Sequence, residues 1–183
     1  HARVNSLFES VVKPQIAACA GQVIERAGDG LLVLFESSTD AVKCALSVQR
    51  AVESLEHGLE DSDRLRLRVG VNVGDIILDG DEIAGDDVNI AVRLQSVAPP
   101  GGVLVSAAVR DQLHEPLGAR FVDLGRLALK NIARPIHTFE LDVAPVAPSF
   151  LRRWLGTLRR VSSLRRVIAL GAVVALVVAL LVY

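Results

Sequence analysis

Gly28-Asp29-Gly30 places one carboxylate on a permissive turn between two apolar runs, QVIERA and LLVLF. Glycines on both sides let the backbone approach a ligand closely, and a carboxylate there suits a hard cation carrying bound phosphates. The same tripeptide is equally an ordinary hairpin turn. Further along, Asn89 and Arg93 stand four residues apart in GDDVNIAVRL, so a helix would show both on one face. An Asn amide positions a sugar ring, and a guanidinium neutralises charge developing on a transferring phosphate. A solvated helix surface would use the same two residues. Between these two stretches lies Gly70-Val71-Asn72-Val73-Gly74-Asp75.

These residues need elements to hold them. Val4, Leu7, Phe8, Val11, Val12 and Ile16 recur at helical spacing, and residues 22–35 read as a hairpin around 27–30. Ser37 to Asp40 supply capping residues for a helix whose apolar positions run from Ala41 to Leu55. Arg64 to Arg68 alternate Arg and Leu and run on into Val69, Val71 and Val73, which predicts one half-buried strand. A strand over 76–78 and a turn at 79–81 follow. Gly85-Asp86-Asp87 then opens a helix that Pro99-Pro100-Gly101-Gly102 stops. A strand over 103–105, a helix over 106–113, and strands near Phe121, over 127–132 and over 138–141 complete the pattern. Strands joined by hairpins and crossovers between amphipathic helices indicate an α+β fold, with helices packed on a mainly antiparallel sheet.

Charge divides the chain. The 183 residues are 51% hydrophobic and 22% charged, with a net charge of −1. Residues 1–151 carry 14 Lys and Arg against 21 Asp and Glu, whereas 152–183 carry six Arg and no acid. An acidic globular part argues against a nucleic-acid partner, because phosphate neutralisation needs a basic face. Cys19 and Cys44 lack metal-ligand spacing and make no disulfide framework, which excludes zinc and favours a reducing compartment. Residues 167–183 form an apolar run of seventeen residues, about 25 Å as a helix, and read as an incomplete transmembrane helix. The arginines before it place the preceding part in the cytoplasm, with Trp154 as an interfacial anchor. The expected organisation is a domain over 1–142, a Pro-containing then Arg-rich linker over 143–166, and a single membrane pass over 167–183. The chain enters helical periodicity almost at His1, so a preceding segment is expected.

At this point the sequence resembles the class III nucleotide cyclases. The resemblance is carried by Gly28-Asp29-Gly30-Leu31-Leu32-Val33, Gly70 to Asp75, Gly85 to Leu94, Pro100 to Ser106, and Leu129-Lys130-Asn131-Ile132-Ala133-Arg134-Pro135, in family order. It implies a ferredoxin-like sandwich working as a head-to-tail homodimer, with active sites built across the interface. It also implies a phosphorus-oxygen lyase that converts ATP or GTP to the 3′,5′-cyclic nucleotide and pyrophosphate. Two ions, Mg²⁺ or Mn²⁺, held by two aspartates, are implied to orient the attack. Asp29 falls on the second metal aspartate, Asn89 on the ribose-orienting Asn, Arg93 on the transition-state Arg and Lys130 on the triphosphate-binding Lys. With the membrane segment, the expectation is a cyclase domain on the cytoplasmic side of the cell inner membrane.

Two departures qualify the resemblance. The family's first metal aspartate sits on a strand before the opening helix, and residues 1–28 contain only Glu9 and Glu25 as acids. The 183-residue chain is therefore expected not to turn over by itself. The base-reading positions hold Glu25 and Glu82, which match neither the adenylate nor the guanylate set. An ionised Glu25 accepts from guanine and favours GTP, Glu82 accepts from the adenine amino group, and the bacterial branch resembled favours ATP. The alternative is a cyclase-like dimerisation or nucleotide-sensing module that has lost catalysis.

Overall fold

A computed structural model describes residues 2–27, 30–74, 77–79, 82–84, 86–113 and 117–142, with the side chains of 25–27, 77–79 and 82–84 outside the description. All of them belong to the first of two units, His1–Pro145. The predicted linker and membrane span, 143–183, lie outside the described residues, and no described helix is long and apolar enough to cross a membrane.

The chain opens as one helical run: α1 (Ala2–Leu7), a π-helical stretch Phe8–Val12, in which the Lys13 N–H donates to the Phe8 carbonyl, and α2 (Lys13–Ala18), with Pro14 directly after the widened turn. Strands β1 (Gln22–Ala27) and β2 (Gly30–Leu34) pair antiparallel, as the hairpin reading predicted. Helix α3 (Ser38–Glu56) starts at the predicted cap: the Ser37 hydroxyl accepts from the backbone N–H of Thr39 at 3.1 Å and of Asp40 at 3.4 Å. Strand β3 (Val69–Val71) follows, then the hairpin β4 (Ile77–Asp79) and β5 (Glu82–Ala84), then α4 (Asp86–Val97). The last elements are β6 (Val103–Ser106), α5 (Ala107–Gln112), β7 (Arg120–Leu127) and β8 (Ile136–Asp142).

The main sheet runs β3-β6-β8-β7, with β3 parallel to β6 and the other neighbours antiparallel. The α+β class therefore holds, and the sheet is mainly antiparallel with one parallel pair. Strand β6 is buried on both faces, because its side chains alternate between two cores. Val103 and Val105 point with Phe139 and Leu141 towards Val42, Ala45 and Leu46 of α3 and Val109 of α5. Leu104 points the other way, towards Leu94 of α4 and Leu129. A third cluster joins Leu7 and Ile16 to Cys44, Val48 and Val52 of α3, with Leu31, Val33 and Phe35 packed against it. Helix α3 thus underlies both the β1-β2 hairpin and the main sheet. Among the described residues β2 pairs only with β1, and β3 only with β6, so each presents an edge without a ladder partner.

Two predicted strands are corrected. Leu65 and Leu67 do pack inward, yet 64–68 is not a strand. Its polar groups bond elsewhere: the Leu65 N–H donates to Glu56 Oε2 at 2.8 Å, and the Leu67 carbonyl accepts from the Gly101 N–H at 2.8 Å and from Gln49 Nε2 at 3.0 Å. Alternation reports which face is buried, not whether a neighbouring strand is present. The second correction is 127–132, of which only Leu127 is in a strand; the rest turns, with Leu129 buried and the Ile132 N–H donating to the Leu129 carbonyl at 3.1 Å.

Candidate active site

The row Gly70-Val71-Asn72-Val73-Gly74 is the seat on which α4 rests. Val69, Val71 and Val73 pack on the α3 side, so Gly70, Asn72 and Gly74 face the opposite way, towards α4. A Cβ added at Gly70 would lie 2.3 Å from the Ala91 carbonyl oxygen and 2.4 Å from the Gln95 nitrogen, so only glycine lets the helix backbone lie this close. Asn72 Nδ2 donates to the Asp87 carbonyl at 3.0 Å and to Asp87 Oδ1 at 3.2 Å, tying the chain after β3 to the first turn of the helix. At Gly74 an added Cβ would collide with the Asp87 carboxylate. Acidic residues Asp86 and Asp87 open α4, where the helix dipole favours them.

Helix α4 carries Asn89, exposed, and Arg93, half-buried, one turn apart on one face. On the inner face Ile90, Leu94 and the following Ala98 meet Leu104, Leu129 and Ile132. Leu129 and Ile132 bracket Lys130, which is exposed on the turn between β7 and β8. The next residue, Asn131, holds a left-handed φ of 63°, which turns the chain back towards β8. One apolar cluster therefore fixes the helix bearing Asn89 and Arg93 against the turn bearing Lys130. Two surface clefts, of about 270 Å³ beside Arg3 and Glu56 and about 400 Å³ beside Gln49 and Gly102, are lined by none of these three residues.

Asp29 lies outside the described residues. Glu25 is placed by its backbone on β1, opposite Leu32, next to a bulge between Val23 and Glu25, and Glu82 is placed on β5 opposite Asp79. The side chains of both lie outside the described residues. Among the described residues no three His, Cys, Asp or Glu gather to hold a metal ion, and the metal reading rests on Asp29. The sequence reading assigned no role to Asn72 or Asp87, although the period-two row of Gly70, Asn72 and Gly74 was the available signal.

The fold is that of a nucleotide cyclase domain, and similarity to known proteins shows the family. Residues 3–142 match the adenylate and guanylate cyclase catalytic domain, and the chain belongs to that family. A Rhizobium meliloti (strain 1021) protein named "Putative adenylate cyclase 3" is 38% identical over 137 residues, covering 75% of this chain and 23% of its own length. The chain thus spans about a quarter of that relative. The crystal structure of an adenylate/guanylate cyclase/hydrolase from Silicibacter pomeroyi superposes with a TM-score of 0.69 at 36% identity, covering 80% of this chain and 85% of that one. A Trypanosoma brucei adenylate cyclase in its monomeric state has the same fold, with a TM-score of 0.66 at 20% identity over 78% of this chain and 80% of its own.

Proposed function

We propose that this domain cyclises a purine nucleoside triphosphate, ATP or GTP, to the 3′,5′-cyclic nucleotide and pyrophosphate. The observation that carries the proposal is the joint placement of Asn89, Arg93 and Lys130 by α4, its glycine seat and one shared core. In this reading Asn89 hydrogen-bonds the ribose and holds the 3′-hydroxyl towards the α-phosphate. Arg93 stabilises the charge that grows on the α-phosphate as the hydroxyl oxygen attacks in line, and Lys130 holds the triphosphate. Glu25 and Glu82 meet the base edge, with GTP favoured where Glu25 is ionised and ATP favoured where Glu82 accepts the amino group. Asp29 would give a carboxylate oxygen to Mg²⁺ or Mn²⁺, and a bound ion of that kind supplies positive charge to the phosphates.

Two further parts of the reading belong to the assembled protein. Activity requires a second metal carboxylate on an additional strand, and the edges of β2 and β3, both lying over α3, are where such a strand would pair. A second copy then completes the site, and residues 143–183 hold the domain at the cytoplasmic face of a membrane. The test is cyclic nucleotide production by the 183-residue chain and by the same chain extended before His1 with an aspartate-bearing strand, with ATP and GTP supplied separately. Product from the extended chain and none from the 183-residue chain is expected. A folded dimer of the extended chain that binds nucleotide without turnover would favour the non-catalytic module.

A further inference from the structure

Strand β7 carries one residue more than its neighbour β8 along their ladder. Asp123 pairs with Phe139 and the next pair is Arg126 with His137, so Leu124 and Gly125 together span the place of Thr138. The bulge reverses which residues face which side. Phe121 packs with Phe139 on the side of α3 and α5, so in an unbroken strand residues 123, 125 and 127 would follow it there. The extra residue shifts the alternation by one. Arg126 takes that side opposite His137, and Leu127 turns with its partner Ile136 to the α4 side, where both join Leu94, Leu104 and Leu129. The chain that bears Lys130 runs directly on from Leu127.

Polar contacts pin the bulge. Asp123 Oδ1 accepts from the Gly125 N–H at 2.8 Å and lies 2.8 Å from His137 Nε2. The Gly125 N–H, and then His137, hold the Asp123 carboxyl below the usual carboxylate range. It is an ionised acceptor at neutral pH, so the proton of the second contact sits on Nε2. Gly125 holds a left-handed φ of 71°, a conformation that suits glycine. The His137 ring stacks on Phe139 with centroids 4.8 Å apart, Phe121 meets Phe139 edge-on at 6.3 Å, and the Arg110 guanidinium of α5 lies 4.9 Å from the Phe139 centroid. We propose that Asp123 and His137 are positioning residues for Lys130: their contact holds the bulge that turns Leu127 and Leu129 towards α4, and so seats the Lys130 turn against the helix of Asn89 and Arg93. That Lys130 meets a triphosphate rests on the cyclase reading, whereas the seating of its turn does not.

The test is amide hydrogen exchange in the 183-residue chain without nucleotide, read by mass over residues 126–136 and, for reference, over α3. Asp123 is exposed, so Asp123→Ala removes the acceptor of both contacts and leaves the core intact. Exchange over 126–136 should quicken by on the order of 10-fold while that of α3 keeps its wild-type rate. Asp123→Asn keeps an oxygen acceptor in the same place and should restore most of the protection. In the chain extended before His1 with an aspartate-bearing strand, Asp123→Ala should raise the KM for the triphosphate and leave kcat nearly unchanged. Unaltered exchange over 126–136 in Asp123→Ala, equal acceleration over α3, or no rescue by Asp123→Asn would overturn the proposal. Lack of turnover by every extended chain would count against the cyclase reading instead, and the exchange result would still decide this one.

Discussion

Replacing Gly70 by alanine tests how closely α4 must sit on β3. The new Cβ would stand 2.3 Å from the Ala91 carbonyl oxygen and 2.4 Å from the Gln95 nitrogen, both backbone atoms that no rotamer change can move. Ordinary van der Waals contact begins near 3.4 Å, so the helix must retreat by roughly 1 Å. Overpacking of this kind costs about 1–3 kcal/mol. The displaced segment carries Asn89 and Arg93, and a shift of about 1 Å in groups that position a reacting centre costs on the order of 100-fold in rate. Denaturant unfolding measures the first effect, and cyclic nucleotide production by the chain extended before His1 with an aspartate-bearing strand measures the second. Gly58→Ala is the control, since nothing lies within 4 Å of its new Cβ, and it should change stability by less than about 0.5 kcal/mol. A Gly70→Ala protein with wild-type stability and turnover would refute the glycine-seat argument.

Further predictions concern the cap, the turn and alkaline pH. Ser37→Ala should lower stability by about 1 kcal/mol in denaturant titration, because two N–H groups at the start of α3 lose their acceptor. Leu129→Ala should cost about 2–5 kcal/mol, and, by loosening the turn of Lys130, should raise the KM for the triphosphate more than it lowers kcat. Cys44 gives a signed pH dependence. Its thiol is raised from 9.0 to about 12, so between those values the unfolded chain sheds a proton that the folded chain keeps. This contribution is whole below pH 9.0 and is lost as pH climbs towards 12, and the difference in stability between wild type and Cys44→Ala should shrink across that window.

Periodicity and capping chemistry made much of this fold legible. The hairpin of β1 and β2, the Ser37 cap and α3, and the run from Asp86 to the Pro99-Pro100 stop all follow from local pattern. The missed elements depend on partners distant in sequence. Arg64 to Arg68 alternate as a strand does, but Glu56, Gln49 and Gly101 take the hydrogen bonds that a ladder would otherwise make. Leu129 looked like a strand residue because it is apolar, whereas it is a turn residue buried under α4. The site shows the same division. Asn89 and Arg93 were readable as one helix face, while the role of Asn72 depends on Asp87 lying opposite it, which no local spacing reports.

The central claim is that α4 presents catalytic groups to a nucleotide. Its most direct test compares the chain extended before His1 with an aspartate-bearing strand with the Arg93→Ala variant of that same extended chain in cyclic nucleotide formation, with Mn²⁺ present and ATP and GTP offered separately. The extended chain with Arg93 should make product from at least one nucleotide. Arg93→Ala should lose activity by on the order of 100-fold or more while unfolding at the same denaturant concentration. Equal turnover by the two proteins would contradict the account.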